Sequence, residues 1–389
     1  MSEPDPSTTL VDAARGFLPM LKERADEIES NRKLPDDIAA SFAKSRFYAL
    51  CVPKVYGGLE ASPVTMMDVI ETLATADASS AWCVFIGATS GLVAGYLPVE
   101  AAKEIYGSSS TVITGGVFAP RGKASVEEGG YRVSGQWQWG SGTQNADWIM
   151  GGCAVIREGQ MEKMPSGIPV SRMMLVPAKQ VEFLDTWHVS GLCGTGSTDF
   201  AFRELYVPEE HSVSLLLDKP LDGPLYAFPI FGMLSIGVGA VALGLARAAI
   251  DEIVALASEK TPEGSMRNLA SRPVVQRDIA EAEALVRSAR LFLWDSVARA
   301  YDTAEQTGAL TVELRRDIRL AASNAATAGA RAVDIAYNLG GGTSVYRSSP
   351  LQRYFRDVHT ATQHMMVGPG TWEQTGRLYL GLETDTAML

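Results

Sequence analysis

Apolar residues recur three and four positions apart through residues 10–28, 38–47 and 64–76, the spacing that lines them along one face of a helix. Pro53 and the Gly57-Gly58 pair interrupt this pattern, and Asp77-Ala-Ser-Ser ahead of Ala81-Trp82 predicts a capped helix start. From Thr111 to about Pro208 the period shortens to two. Tyr131-Arg-Val-Ser and Phe200-Ala-Phe-Arg alternate, and Glu128-Gly129-Gly130 supplies a turn, so this stretch predicts a compact β-domain. Helical periodicity returns after Gly223, in 236–257, 275–303 and 313–339, and again beyond Pro350. The expected fold is mainly α with a central β-domain: a helical domain at 1–106, the β-domain at 107–212 and a helical bundle at 213–389. With no internal repeat or low-complexity linker, the three parts are expected to pack as one unit.

Composition removes several function classes. The chain has 389 residues and a formal net charge of −11, with no Lys/Arg cluster, which argues against nucleic-acid binding. Cys51, Cys83, Cys153 and Cys193 are far apart and form no CxxC pair, so neither disulfides nor a metal site is expected. The polar, acidic start lacks the order of a secretory signal, and the protein is expected in the cytoplasm. Residues 223–246 carry no charge and are long enough for a bilayer, but Pro224, Pro229 and several glycines interrupt them. They are read as the central helix of a bundle rather than a membrane span.

Three glycine-rich segments carry the candidate chemistry. In Gly135-Gln-Trp137-Gln-Trp139-Gly-Ser141-Gly142 and the following Asn145-Ala-Asp-Trp148, flat aromatics flank a glycine-hinged serine. That composition suits a planar cofactor, and it equally suits a packed β-core with a turn. Trp187-His188 leads into Gly191-Leu-Cys-Gly194-Thr195-Gly196-Ser197-Thr198, whose hydroxyls can bond a phosphate or ribityl chain. It is neither GxGxxG nor a Walker loop. Gly340, Gly341 and Gly342 fit an interhelical turn or a close ligand contact. Of the 4 histidines, His359 and His364 are five apart and point in different directions on a helix, which rules against joint metal binding. No GxSxG elbow points to a hydrolase.

Taken in order, Arg32-Lys-Leu-Pro35, Val52-Pro-Lys-Val-Tyr-Gly57-Gly58-Leu59, Ser80-Ala-Trp82, the Gly135 to Gly142 run, Gly191-Leu-Cys-Gly194-Thr-Gly-Ser197 and Arg353-Tyr-Phe-Arg356-Asp357-Val-His359 resemble the acyl-CoA dehydrogenase superfamily over nearly the whole chain. More closely, they resemble its oxygen-using branch. That branch comprises the oxygenase components of two-component flavin-dependent monooxygenases, among them hydroxyphenylacetate hydroxylase and the hydroxylase of 3-hydroxy-9,10-secoandrostatrienedione. The resemblance implies an N-terminal helical domain, a central β-barrel and a C-terminal four-helix bundle, assembled as a homotetramer. Dehydrogenases of the superfamily need a carboxylate base. The family positions for it match His364-Met365-Met366-Val367 and Leu234-Ser235, and neither holds a carboxylate.

The resemblance further implies reduced FAD, with FMN as an alternative, delivered by a separate flavin reductase. Oxygen would then form a flavin C4a-hydroperoxide that hydroxylates a small aromatic substrate. By the same carry-over Ser141 and His364 are catalytic. Trp137, Trp139, Ser141, Thr195, Gly196 and Ser197 line the flavin, while Arg272, Gln276, Gly340, Gly341 and Gly342 reach the cofactor of a neighbouring subunit. Phe85, Phe118, Asn145, Met365 and Met366 face the substrate. Phenol-hydroxylating relatives often carry histidine where this chain has Gln144 and Asn145, and again within Gly87-Ala-Thr-Ser90. An indole therefore becomes as suitable a substrate as a phenol. An acyl-CoA dehydrogenase and a flavin-binding homologue without turnover are the alternative readings.

Overall fold

In the computed structural model the described residues are 6–107, 109 and 111–389. The chain opens with α1 (Pro6–Glu23) and α2 (Ala25–Asn31), where one continuous helix was expected. The backbone leaves helical geometry at Arg24 (φ −97°, ψ 9°), and the Arg24 guanidinium turns to bind Glu27 and Asp37. Next come α3 (Asp36–Lys44), α4 (Pro63–Ala74), α5 (Ala78–Ser90) and the short α6 (Val99–Ala102). As the sequence predicts, Asp77 caps α5: its carboxylate accepts the Ser80 backbone N–H at 2.6 Å.

The middle of the chain forms one mixed sheet. Its strands are β1 (Thr114–Glu127), β2 (Gly130–Trp137), β3 (Trp148–Arg157), β4 (Gln160–Met161), β5 (Ser171–Pro177), β6 (Glu182–Leu184), β7 (Asp199–Pro208) and β8 (Ser212–Val213). They run in the order β6-β7-β2-β1-β3-β5-β8, with β4 as a hairpin on β3. β1 and β3 are parallel, Thr114 opposite Trp148, and the other pairs are antiparallel. The expected barrel is open, since the edge strands β6 and β8 do not pair with each other. Side chains from β1, β2, β3, β5 and β7 nevertheless converge on one core around Trp137, Ile149, Met174, Phe200 and Phe202.

After the sheet come α7 (Pro224–Ala227), α8 (Ile230–Glu259), α9 (Pro273–Thr307), α10 (Val312–Gly340), α11 (Pro350–Ala361) and α12 (Pro369–Tyr379). α8, α9, α10 and α11 pack together as the four-helix bundle. From Gly232 to Ala246 α8 is buried and carries no charge, packed among α4, α5, α10 and α11. The segments 78–95 and 230–259 are long and apolar enough to cross a membrane by composition, and both are buried inside this fold. α5 approaches α8 closely at Gly237, where an added Cβ would lie 2.2 Å from the Phe85 ring. Only glycine admits that approach, and it sets Phe85 and its neighbour Trp82 against the bundle.

Candidate active site

Trp82 is the residue on which the site is built. It lies on α5 one turn before Phe85, and the two rings meet edge to face at 5.5 Å. Its indole N–H donates to Ser141 Oγ at 3.1 Å, across from the loop after β2. The same ring meets the His364 imidazole edge to face at 5.7 Å, from the connection between α11 and α12. One tryptophan thus joins the two residues that the sequence singles out as catalytic, although they stand on opposite sides of the fold.

The hydroxyls beyond Ser141 form an oriented chain. Thr195 Oγ1 donates to the Leu192 carbonyl at 2.7 Å, which spends its one proton. Ser197 must therefore donate to Thr195 at 2.7 Å, and Ser141 to Ser197 at 2.6 Å. Trp82 supplies the donor that Ser141 accepts. Within this chain the Ser141 proton is committed to Ser197, so donating it to a ligand requires Ser197 to turn away.

The turn that carries these hydroxyls is pinned to α11. Gly191 sits where a Cβ would lie 2.1 Å from the Arg356 carbonyl oxygen, so no larger residue fits. The next backbone N–H, that of Leu192, donates to the buried Asp357 carboxylate at 2.6 Å. Burial pushes Asp357 up to about 7, with Asp77 adding to the rise and Arg356 and Arg353 opposing it.

His364 is partly exposed as a residue, but its ring is crowded by protein. Desolvation, with the Arg319 charge in second place, pushes it down to about 4, so it is neutral at physiological pH. The Met366 backbone N–H donates to Nδ1 at 3.3 Å, which places the imidazole proton on Nε2. The neutral ring therefore presents a donor.

The remaining expected residues fall in several places. Trp139 shares the Ser141 loop, keeps 63 % exposure and holds a left-handed φ of 66°. Such a conformation in a tryptophan needs support from its surroundings and is common at functional sites. Trp137 is fully buried: it stacks on Phe200 at 5.3 Å and donates to the Gly152 carbonyl. It is a core residue of the sheet and presents no face to a cofactor, because strand alternation sends it inward. Phe118 lies between two core clusters, Phe85 is buried against Trp82, Met366 is buried and Met365 is 66 % exposed. Asn145 is held by α3, donating to the Leu34 carbonyl at 3.1 Å and to Asp36 at 2.8 Å, and it also borders a narrow enclosed gap with Tyr48, Cys83 and Ser141.

Arg272, Gln276 and Gly340 gather at the far end of the bundle. Lys260 Nζ binds the Gly340 carbonyl and Thr343 Oγ1, both at 2.7 Å, and the Lys260 carbonyl accepts the Leu269 N–H. α8, 30 residues long, separates that end from the His364 end by about 40 Å. Arg272, Gln276 and Gly340 to Gly342 thus do not join the Trp82 cluster of their own chain. Between them lies a cleft of about 430 Å³ lined by Val189, Ser190, Phe355, Arg356, His359, Thr360 and Gln363. Its size falls within the range of small-molecule sites, ~300–1,000 Å³. His359 Nε2 is paired with Asp334 at 2.8 Å. His188 lies beside Arg32 and Asp185 at the surface.

Trp82, Asp357 and Arg319 were not among the expected site residues. The sequence signal for Trp82 was its place in the Ser80-Ala-Trp82 stretch of the family resemblance, one turn from Phe85. Asp357 lay within the Arg353 to His359 stretch of the resemblance without a role, and Arg319 gave no signal, since both derive their character from burial.

Comparison with known proteins agrees with this fold. Residues 5–104 match the family described as acyl-CoA dehydrogenase, N-terminal domain, and residues 236–369 match acyl-CoA dehydrogenase, C-terminal domain. The indole-3-acetate monooxygenase of Pseudomonas putida is 34% identical over 92% of this chain and 90% of its own length. The flavin-dependent monooxygenase oxygenase subunit HsaA of Rhodococcus jostii is 28% identical over 91% of this chain and 93% of its own. The structure of XiaF from Streptomyces sp., in complex with FADH2 and glycerol, superposes with a TM-score of 0.88 at 28% identity, covering 97% of this chain and 96% of that one. On this match of sequence, fold and domains, the chain belongs to the acyl-CoA dehydrogenase superfamily, in its branch of flavin-dependent monooxygenase oxygenase components.

Proposed function

We propose that the protein uses reduced flavin and O2 to insert one oxygen atom into an aromatic or heteroaromatic small molecule of the indole or phenol type. The observation that carries this reading is the Trp82 junction. It holds a serine hydroxyl and a neutral histidine against one tryptophan, and the histidine stands at a position where a dehydrogenating relative carries its carboxylate. The relatives named above support it, since they are monooxygenases of indole-3-acetate and flavin-dependent oxygenase subunits.

The residues present suit a flavin. The exposed Trp139 ring, the Ser141-Ser197-Thr195 hydroxyls and the cleft between residues 189–190 and α11 would hold its ring system. Bound reduced flavin supplies the electrons that activate O2. Trp82, Phe85 and Met366, all buried, would exclude water from the side of the site that holds Ser141 and His364. FAD is the favoured form and FMN the alternative, in keeping with relatives that use FADH2 or bind FMN.

The role of His364 follows from its proton. With Nδ1 facing the Met366 N–H and a basicity pushed down to about 4, it is a poor acceptor for a phenol or indole proton. Its Nε2–H is instead available to donate to oxygen. The donor role is therefore the one this reading assigns.

The reduced flavin comes from a separate reductase. A dimer of dimers fits the 40 Å separation described above, because Arg272, Gln276 and Gly340 to Gly342 would then serve a neighbouring subunit's cofactor. A reducing cytoplasm suits four free, buried cysteines.

The test is steady-state turnover with FAD, NADH and an unrelated flavin reductase, screening indoles and phenols by mass spectrometry. A product heavier by one oxygen, lost with heat-killed protein, is expected. Anaerobic bleaching of bound oxidised flavin by an acyl-CoA, without any oxygenated product, would replace this reading with a dehydrogenase.

A further inference from the structure

Asp357 lies on α11 and is 5 % exposed, a buried carboxylate with no part in the chemistry proposed above. The two arginines of the same helix form no ion pair with it: Arg353 turns to Asp26, and Arg356 to Glu29 and the Ser190 carbonyl. Among the described residues the carboxylate's one hydrogen bond comes from the Leu192 backbone N–H at 2.6 Å. A carboxylate buried for an ion pair would face those guanidiniums, and a buried charge left outside an ion pair is unfavourable. This one faces a turn.

Leu192 needs that hold. Its backbone is left-handed, with φ 51° and ψ 33°, where Cβ crowds the following carbonyl. A leucine stays there only when its surroundings fix both flanking peptides. Asp357 fixes the one before it, through the N–H. The one after it is fixed through the Leu192 carbonyl, which accepts Thr195 Oγ1 at 2.7 Å and Trp187 Nε1 at 3.2 Å. Arg356 holds Ser190, upstream of the left-handed residue, and so anchors the approach to the turn rather than its conformation. From the Leu192 carbonyl the hydroxyls of Thr195, Ser197 and Ser141 run to the Trp82 N–H, and the Trp82 ring meets His364. His364 lies seven residues beyond Asp357, its N–H bonded at 3.1 Å to the carbonyl of Ala361, the last residue of α11. The contacts thus close a ring: α11 forms one side, the hydroxyl chain the other, and Asp357 joins the turn to the helix.

We infer that Asp357 is a positioning residue: by holding Leu192 in its left-handed turn it fixes the acceptor at the end of the hydroxyl chain, and with it the place and proton direction of Ser141 relative to His364. Without that acceptor Thr195 is free to donate elsewhere, Ser197 and Ser141 can reverse, and the serine is no longer set against the histidine. The effect on turnover rests on the oxygenase reading; the anchoring of the turn does not.

Asp357→Leu removes the acceptor at similar size and Asp357→Asn keeps one, so the two variants separate position from bulk. Amide exchange on the flavin-loaded protein, read by mass spectrometry with fragmentation, should show residues 190–198 opening about tenfold faster in Asp357→Leu, with α8 and α10 unchanged and Asp357→Asn near wild type. In a single turnover, enzyme-bound reduced flavin is mixed with oxygen and indole-3-acetate. Asp357→Leu should lower product per bound flavin by about tenfold in favour of peroxide, and Asp357→Asn should restore most of it. That ratio does not depend on how much protein is folded. Unchanged exchange at 190–198 in Asp357→Leu overturns the inference, as does exchange that quickens along the whole chain, which marks a structural carboxylate. A freed turn with full product yield also overturns it. So does a Leu192 amide that exchanges as fast as an open loop in the wild type, even where Asp357→Leu does not fold. A turn freed in Asp357→Leu, beside a wild type that forms no oxygenated product, removes the oxygenase reading and leaves the anchor standing.

Discussion

Replacing Asp357 with Asn isolates one charge buried beneath the hydroxyl turn. Asn keeps an oxygen for the Leu192 N–H, which Asp357 accepts at 2.6 Å, so the turn retains its anchor. What disappears is the titration. The folded-state value of about 7 stands above the ordinary 3.8, chiefly because burial penalises the carboxylate, with Asp77 nearby. The folded protein therefore holds this proton where the unfolded chain has released it. Its favourable contribution is fully present below about pH 4 and is lost as pH rises through about 7. A gap of about 3 pH units corresponds to about 4 kcal/mol at most, at 1.36 kcal/mol per unit. Urea midpoints and slopes of wild type and Asp357→Asn, followed by fluorescence from pH 4.5 to 8, measure the difference. The variant should gain on the wild type by on the order of 3 kcal/mol across that window, most of it by pH 7. A constant difference between the two proteins at every pH would refute the argument and show that Asp357 stays ionised in the fold.

Other residues give sharper local tests. His364→Gln should turn most reducing equivalents into free peroxide and lower product formation by about 10²-fold, read as product per NADH. The wild-type rate should show no inflection near pH 6.5 from this residue, because its folded value is about 4. The stability that neutral His364 gives should fade as pH falls from about 6.5 to 4. Ser141→Ala leaves the Trp82 N–H without its acceptor and should lower stability by about 1–3 kcal/mol. Adding Trp82→Phe should then cost less than it does alone, a non-additivity that a double-mutant cycle reads directly. Gly237→Val drives a side chain into Phe85, already 2.2 Å from the added Cβ, and should destabilise by about 1–3 kcal/mol or more while displacing Trp82, seen as a shift in tryptophan emission.

The order of helical, β and helical segments was legible because periodicity survives in a single sequence. The breaks were not: at the interruption, Arg24, the side chain bridges Glu27 and Asp37, a partner 13 residues on that no local pattern reveals. Ser141 and His364 were found by resemblance, and their meeting through Trp82 depends on packing that no local pattern encodes. Trp137 shows the converse. Composition placed it with Trp139 as a cofactor-facing aromatic, but β2 ends at Trp137 and the backbone turns left-handed at Trp139, so one is fully buried and the other 63 % exposed. Arg319 and Asp357 look like ordinary surface charges in the sequence. Burial alone gives them their character, and burial is a property of the assembled fold.

The central claim is that one atom of O2 enters an aromatic substrate at the Trp82 junction. Isotope tracing tests it most directly: purified protein, reduced FAD and indole-3-acetate are mixed under ¹⁸O2 in ordinary water, and the product is weighed by mass spectrometry. One ¹⁸O atom per product molecule is the predicted result, with the amount of product falling about 10²-fold in His364→Gln and labelled peroxide appearing there instead. A product carrying only oxygen from water, or a dehydrogenated product with no label, would contradict the account.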